Sequence, residues 1–294
     1  MRRVARAVSS AERAFWKALY GDHPYGQRPS VTTFAQLGQS DANEWIARNY
    51  RPANGVLAVV GDIDPQEVQA LAQKWFGDWK QDADGSEVPP PPAPSLVPHE
   101  PRVVVTHRPG ATQGEIRFGC LLPAAAESTE ATYDLLAALV VKHLFRTLRQ
   151  ELGVTYGVDG VALELRGGAA HLTVQTAIEN AALPTALRLF REHLRALEAG
   201  RIDDQELASA RWDLARRFNL RFATNRSFAE AILERRTKGW TLASLDRYPA
   251  RLAEVAASEL RSAFATCRIT EVLSVIGDEP TVRAALREGW TAGQ

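Results

Sequence analysis

The sequence predicts an α+β protein made of two homologous α/β sandwich domains, the first of them incomplete. Strand-like and helix-like segments come in runs, which is typical of a mainly antiparallel sheet with helices packed on one face. A strand-turn-helix segment occurs twice, and a proline-rich stretch lies between the copies. These observations divide the chain into a partial first domain at 1–80, a linker at 81–100 and a complete second domain at 101–294.

The composition is that of an ordinary globular protein with balanced charge. The 35 Lys and Arg residues match 35 Asp and Glu residues in a chain of 294. We therefore expect neither nucleic-acid binding nor a membrane span. The apolar residues after Arg6 are soon interrupted by polar ones, so no signal peptide is predicted.

Residues 1–80 are predicted to form a helix, a loop, a second helix, a strand and a third helix. The second helix begins at Ser40 and stops before Pro52, and the apolar run 56–60 is typical of a buried strand. Asp64 is placed to cap the next helix, with Pro65 at its first position.

Residues 81–100 are rich in proline and polar residues, a composition that favours an extended, semi-rigid linker. After it we predict strands, a helix, a strand pair that turns at Arg166–Gly168, three or four helices, and a closing strand and helix. The strands are expected at 102–107, 114–120, 154–165, 169–177 and 271–276; the helices are expected at about 130–150, between 181 and 267, and from about 280.

The two cysteines are predicted to be buried free thiols. Cys120 and Cys267 stand 147 residues apart, with neither a Cys-x-x-Cys pair nor a histidine-rich neighbourhood. This spacing favours neither a zinc knuckle nor a disulfide-rich scaffold.

The repeated segment points to an internal duplication, with chance similarity as the alternative. Val56-Leu-Ala-Val-Val-Gly-Asp62 and Val272-Leu-Ser-Val-Ile-Gly-Asp278 align without a gap, and each is followed by a helix that begins with proline and ends near tryptophan. The second copy has about 115 more residues before its Gly-Asp turn than the first. That length corresponds to the missing part of the first domain.

Several motifs in this order resemble a known family. The sequence resembles the pitrilysin/insulinase family of zinc metallopeptidases, in its processing-peptidase-like branch. The motifs are His23-Pro-Tyr-Gly26, Tyr50-Arg-Pro-Ala-Asn54, the apolar run into Gly61-Asp62, Phe76-Gly-Asp-Trp79, the proline-rich linker, and Leu148-Arg-Gln-Glu-Leu-Gly-Val-Thr-Tyr156. The resemblance implies a peptide substrate and a zinc ion bound by an inverted His-x-x-Glu-His motif.

That zinc motif is absent from the sequence, so we expect no metal site in this chain. The nearest match is Leu189-Phe-Arg-Glu192-His193, in which leucine replaces the first histidine. Glu192 and His193 are therefore predicted to be solvated. His143 is predicted to pack between helices, and His23 to stabilise a tight turn. In the family the zinc motif lies in the first half of the first domain, which is the part that the repeat identifies as missing.

The remaining candidate site residues are Arg149 and Tyr156. The resemblance implies that this pair, seven residues apart, reaches from the second domain toward the zinc site. A guanidinium and a phenol are both hydrogen-bond donors, suited to a peptide carbonyl and to the oxyanion that forms from it. The structural alternatives are that Arg149 caps its helix and that Tyr156 packs in the sheet. Gly167-Gly168 is predicted to be a hairpin turn, with close approach of a peptide as the alternative.

Two hypotheses on function follow. In the first, the chain is part of a zinc metalloendopeptidase, inactive alone, with the zinc supplied by the missing segment or by a partner subunit, in a homodimer or a heterodimer. In the second, it is a non-catalytic structural homologue, like the core proteins of respiratory complexes. The retained pair Arg149 and Tyr156 favours the first. The cellular compartment remains open between bacterial cytoplasm and periplasm.

Overall fold

The computed structural model describes residues 2–79, 88–100 and 102–290. Its five strands are β1 (Arg102–His107), β2 (Gln113–Leu122), β3 (Val158–Glu164), β4 (Ala170–Glu179) and β5 (Val272–Gly277). Its helices are α1 (Arg2–Tyr20), α2 (Val31–Gln36), α3 (Gln39–Asn49), α4 (Pro65–Phe76), α5 (Glu130–Leu144), α6 (Leu183–Glu198), α7 (Asp204–Leu220), α8 (Asn225–Lys238), α9 (Ala243–Glu254), α10 (Ala257–Ile269) and α11 (Glu279–Gly289). None of the described helices combines the length and the apolar character that crossing a bilayer requires.

The five strands form one mixed sheet in the order β1-β5-β2-β4-β3. Only β1 and β5 run parallel, and the other neighbouring pairs are antiparallel. The predicted α+β class with a mainly antiparallel sheet is therefore confirmed. Because side chains alternate along a strand, β2 directs Ile116, Phe118 and Cys120 to one face and Arg117, Gly119 and Leu121 to the other.

The helices after β2 cover one face of this sheet. α5 packs on β3 and β4, α10 on β2, and α11 on β1 and β5, while α7 and α9 pack on α5. The prediction of three or four helices between 181 and 267 is wrong, because this stretch forms five. The additional boundaries come from local signals: Thr224 caps α8, and Gly239, with φ of 75°, ends it.

The other face of the sheet is partly covered by α1, a layer that the sequence did not predict. Phe15 and Leu19 are buried in a cluster with Leu121 and Val272. A Cβ atom added to Gly119 would lie only 2.5 Å from the Cζ atom of the Phe15 ring, which is too close for two carbon atoms. A glycine at this position therefore allows the helix to lie close to the sheet.

A hydrogen bond of 2.7 Å joins the hydroxyl of Tyr20, at the end of α1, to Nδ1 of His171 on β4. Burial, together with the nearby positive charge of Arg28, lowers the pKa of His171 to about 4. The imidazole is therefore neutral at pH 7 and serves as a packing and hydrogen-bonding group beneath α1.

The predicted strand at 56–60 is not formed in the structure. These residues lie outside the sheet, and Val56, Leu57 and Val59 are exposed. A strand requires neighbours for its backbone N–H and C=O groups, and the described residues provide none here. Two parts of the chain have their elements in the same order: α1, α2, α3, residues 56–60 and α4 in the first, and α8, α9, α10, β5 and α11 in the second. This correspondence supports the division into two homologous domains, which stays a prediction.

The prediction of free thiols is also wrong. Cys120 on β2 and Cys267 on α10 are both fully buried, as expected, but they form a disulfide with a Cα–Cα separation of 4.8 Å. Pairing depends on the packing of α10 against β2, which brings together residues 147 positions apart. The bond fastens the helical layer to the centre of the sheet.

Replacing Cys120 and Cys267 together by alanine is expected to lower the free energy of unfolding by about 2–5 kcal/mol, because the closed loop is long. Urea denaturation of the oxidised wild type and the double variant measures this difference. Wild type treated with reductant under the same conditions should approach the variant. Equal stability of the oxidised wild type and the double variant would argue against the disulfide.

Gly119→Ala is expected to displace α1 and to cost about 1–3 kcal/mol of stability, because its methyl group collides with the Phe15 ring. Denaturant titration gives the stability, and Gly119→Ala combined with Phe15→Leu should recover part of the loss. If Gly119→Ala is as stable as wild type, the described packing of α1 on β2 is incorrect.

Candidate functional site

Arg149 and Tyr156 lie on the connection between α5 and β3. The end of α5 continues as a π-helical segment, Phe145–Glu151, a feature that is frequent at functional sites. Gly153 then adopts the left-handed conformation, with φ of 68°, as predicted. The strand begins at Val158 rather than at the predicted Val154, so Tyr156 belongs to the loop before the strand.

The structure brings Arg149 and Tyr156 together. The guanidinium carbon of Arg149 lies 5.7 Å from the centre of the Tyr156 ring, which is a cation–π arrangement. The Arg149 Nη1 atom donates a 3.3 Å hydrogen bond to the carbonyl oxygen of Thr155, a residue beyond the helix. Tyr156 is 90% exposed, so it does not pack in the sheet. The alternative of packing in the sheet therefore does not describe Tyr156, whereas Arg149 does lie in the last turn of its helix, where its charge also interacts with the helix dipole.

Two buried threonine hydroxyls hold the loop that carries Tyr156. Thr155 Oγ1 lies 2.9 Å from Thr176 Oγ1 on β4, and Thr176 Oγ1 donates to the Gly157 carbonyl oxygen at 2.8 Å. The Gly157 N–H donates to Thr155 Oγ1 at 3.2 Å. The backbone on both sides of Tyr156 is thus fixed while its side chain points outward. Thr155 and Thr176 are not recognisable as site residues in the sequence, because only the pairing of β3 with β4 brings them together.

Tyr156 lines a cavity of about 540 Å³ on the face of the sheet that α1 partly covers. Phe15 and Glu12 of α1 form one side of this cavity. The sheet contributes Arg117, whose Nη2 atom donates a 3.1 Å hydrogen bond to Gln175 Oε1 and whose guanidinium lies over the Phe15 ring. The cavity therefore has polar as well as apolar side chains in its walls, and Tyr156 is one of its lining residues.

Glu192 and His193, the partial match to the zinc motif, differ in their exposure to solvent. Glu192 is exposed and accepts a 3.1 Å hydrogen bond from Arg188, but His193 is buried and stacks on His143 with ring centres 3.7 Å apart. Burial is the main cause that lowers the pKa of His193 to about 3, with smaller contributions from His143 and Arg146. The prediction that His193 is solvated is wrong, because the interface of α5 with α6 buries this side of the helix.

A zinc site does not fit the described residues. Glu192 and His193 point into different surroundings, and His143, next to His193, has Glu206 at 3.2 Å. No group of three histidine, cysteine or acidic side chains among residues 2–79, 88–100 and 102–290 is placed to hold a metal ion.

Strongly shifted carboxyl groups occur away from the cavity and have structural partners. Burial raises the pKa of Asp134 to about 6, and Asp134 accepts a 2.7 Å hydrogen bond from the Tyr248 hydroxyl. Burial also raises the pKa of Glu164 to about 7, where Lys238 lies at 3.2 Å. These groups connect α5 and β3 to α8 and α9 on the helical side, and they do not identify a second active site.

Comparison with known proteins assigns residues 37–214 to a family described as Peptidase M16 inactive domain. An uncharacterized zinc protease of Mycobacterium leprae is 26% identical over 207 residues, covering 68% of this chain and 46% of that protein. The chain thus spans less than half of the length of this relative.

Solved structures share the fold at low sequence identity. A protease from Helicobacter pylori matches with a TM-score of 0.77 and 18% identity, over 94% of this chain and 69% of that one. A chain of Complex III2 from Candida albicans, solved with Inz-5 bound, matches with a TM-score of 0.74 and 12% identity, over 97% and 67%.

Thr176→Val is expected to lower the free energy of unfolding by about 0.5–1.5 kcal/mol, because it removes one of the two threonine hydroxyls within hydrogen-bond distance of the Gly157 carbonyl oxygen and the partner of Thr155 Oγ1. It should also increase amide hydrogen exchange at Gly157. Thr173→Val on the same strand is the control, since Thr173 lies three positions before Thr176 and therefore on the opposite face of β4. Equal exchange at Gly157 in both variants would contradict the role of Thr176.

Proposed function

Because the chain belongs to the Peptidase M16 inactive domain family, we propose that it forms half of the substrate chamber of a processing-type zinc metalloendopeptidase. Its role there is to bind the peptide through Arg149 and Tyr156. The observation that carries the proposal is the exposed Tyr156 at the cavity lining, with Arg149 over its ring and two threonines fixing its loop. A side chain that only stabilised the fold would not be fixed so far into solvent.

The chemistry of the pair suits a peptide carbonyl. The phenol hydroxyl donates one hydrogen bond, and the guanidinium offers several N–H donors of which the described geometry uses one for Thr155. Donors fixed in place stabilise negative charge that develops on a carbonyl oxygen. Arg149 and Tyr156 would thus orient the substrate and bind the oxyanion, and they require no rearrangement of the loop to do so.

Zinc has to come from elsewhere, because the described residues do not fit a zinc site. The proposed source is a polypeptide with a His-x-x-Glu-His helix, either continuous with this chain in a longer protein that forms a homodimer, or a separate subunit in a heterodimer. The surface of residues 31–79 supports such a partner. Large apolar side chains on it are exposed, among them Phe34, Trp45, Leu57 and Trp75.

The repeat indicates how that partner attaches. Residues 56–60 correspond to β5, which has a parallel neighbour on one side and an antiparallel neighbour on the other. The exposed segment would then become a central strand when the partner adds strands on both sides. This arrangement would bury the apolar residues of 31–79 and complete the first domain.

The alternative is a structural subunit without catalysis. The shared fold with a chain of Complex III2 supports it at the level of the fold alone. A structural subunit has no need of an exposed tyrosine on a fixed loop, so the two functions differ in the effect of changing Tyr156.

The test uses the chain assembled with the polypeptide that carries the His-x-x-Glu-His helix. Tyr156→Phe removes one donor and almost no volume, so peptide turnover should fall roughly 100- to 1000-fold. The stability of the chain should change by less than about 1 kcal/mol. Arg149→Gln should also lower turnover, whereas the control Arg188→Gln, on the helical side, should not.

Unchanged turnover in Tyr156→Phe would support the structural alternative. Unfolding of Tyr156→Phe would show that the tyrosine stabilises the fold. If wild type forms no complex with any zinc-bearing segment of this family, the proposed partner is wrong.

A further inference from the structure

The proline-rich linker contacts two motifs that the proposed function does not use. These are the turn His23-Pro-Tyr-Gly26 after α1 and the turn Arg166–Gly168 between β3 and β4. We propose that the two turns form a recognition site for an extended proline-rich segment, and that Pro90–Pro92 of this chain occupy it. We call the site the linker clamp. The inference concerns this chain by itself and does not depend on peptidase activity.

His23 provides the first contact. Its Nδ1 atom accepts a 3.2 Å hydrogen bond from the Tyr25 N–H, which leaves the proton on Nε2. Nε2 then donates to the carbonyl oxygen of Pro92 at 2.7 Å. His23 therefore stabilises the turn, as predicted. Because the turn uses Nδ1 as an acceptor, it also fixes the tautomer whose Nε2–H binds the linker.

Gly167 provides the second contact. A Cβ atom on Gly167 would stand 2.0 Å from the Pro91 carbonyl oxygen, so only glycine allows the linker to lie this close. Gly168, with the same φ of 78°, has no atom nearer than 3.9 Å to its Cβ position. The sequence favoured a plain hairpin turn here, and the turn is present, but the close approach of a peptide also occurs. That peptide is the linker itself.

Tyr25 fastens the two turns to each other. Its hydroxyl donates a 2.8 Å hydrogen bond to the carbonyl oxygen of Arg166, beside Gly167. Its ring lies 5.2 Å from the His23 ring and 6.2 Å from the Tyr20 ring. Aromatic rings with donors aimed at free carbonyls are the usual means of binding proline-rich segments, which have few N–H groups and a preformed extended conformation.

The linker is also held on both sides of the clamp. The Val88 N–H donates to Asn54 Oδ1 at 2.8 Å, and Leu96 packs on the cluster beneath α1. The His99 N–H donates to the Ile269 carbonyl oxygen at 3.1 Å. Residues 88–99 are therefore attached along their length, so the linker does more than separate two domains.

The first experiment compares Gly167→Ala with Gly168→Ala in the full chain. Both place a methyl group at the same positive φ in the same turn, but only Gly167→Ala collides with the linker. We expect proteinase K to cleave within 88–98 at least tenfold faster in Gly167→Ala than in Gly168→Ala. Circular dichroism checks that both variants are folded. Equal cleavage rates would overturn the proposal.

The second experiment tests recognition directly and remains informative if Gly167→Ala does not fold. A variant in which residues 88–98 are replaced by a longer Gly-Ser chain removes the linker's own proline-rich segment from the clamp. A synthetic peptide with the sequence of residues 88–98 should bind to it, as measured by fluorescence anisotropy. Adding His23→Phe removes the Nε2 donor and should weaken binding about three- to tenfold. No binding, or binding unaffected by His23→Phe, would overturn the proposal.

Discussion

The packing of Phe15 against Gly119 is the contact on which the site depends. It places α1 on the face of the sheet that the other helices leave open. Because α1 lies there, Glu12 and Phe15 form a wall opposite the strands, and a flat sheet surface becomes a cavity. The same helix carries Tyr20 onto His171 and directs the following turn toward the linker. The cavity and the linker clamp therefore both depend on the position of α1.

The two faces of the sheet differ in how their charged and polar side chains are buried and paired. On the helical side, charged groups are buried and paired: Arg235 binds Glu130 at 2.7 Å, and Arg191 binds Glu271 at 2.5 Å. Removing one partner of such a pair leaves an uncompensated charge, so these residues stabilise the fold. On the other side, Tyr156 lines the cavity and is exposed, and it contacts the exposed Arg149 at the end of the helical segment that follows α5. Donors that are ordered and still accessible are those that can bind a substrate.

Residues 31–79, the larger part of the proposed incomplete first domain, combine formed helices with an unpaired segment. Their helices form, because capping residues such as Ser30 and Asp64 act locally. The segment at 56–60 does not pair, because strands need neighbours that are distant in sequence. An exposed apolar surface next to an unpaired segment is the expected result. Completion by a further polypeptide would satisfy both requirements at once.

The sequence by itself determined the α+β class, the positions of the strands after the linker and the turn at Gly153, while the candidates Arg149 and Tyr156 came from the resemblance to a known family. The features of the fold follow from periodicity and from glycine and capping signals, which act over short distances. Only the tertiary structure decided the Cys120–Cys267 disulfide, the burial of His193 and the docking of the linker. Each depends on which elements pack together across many residues, and no local pattern records that.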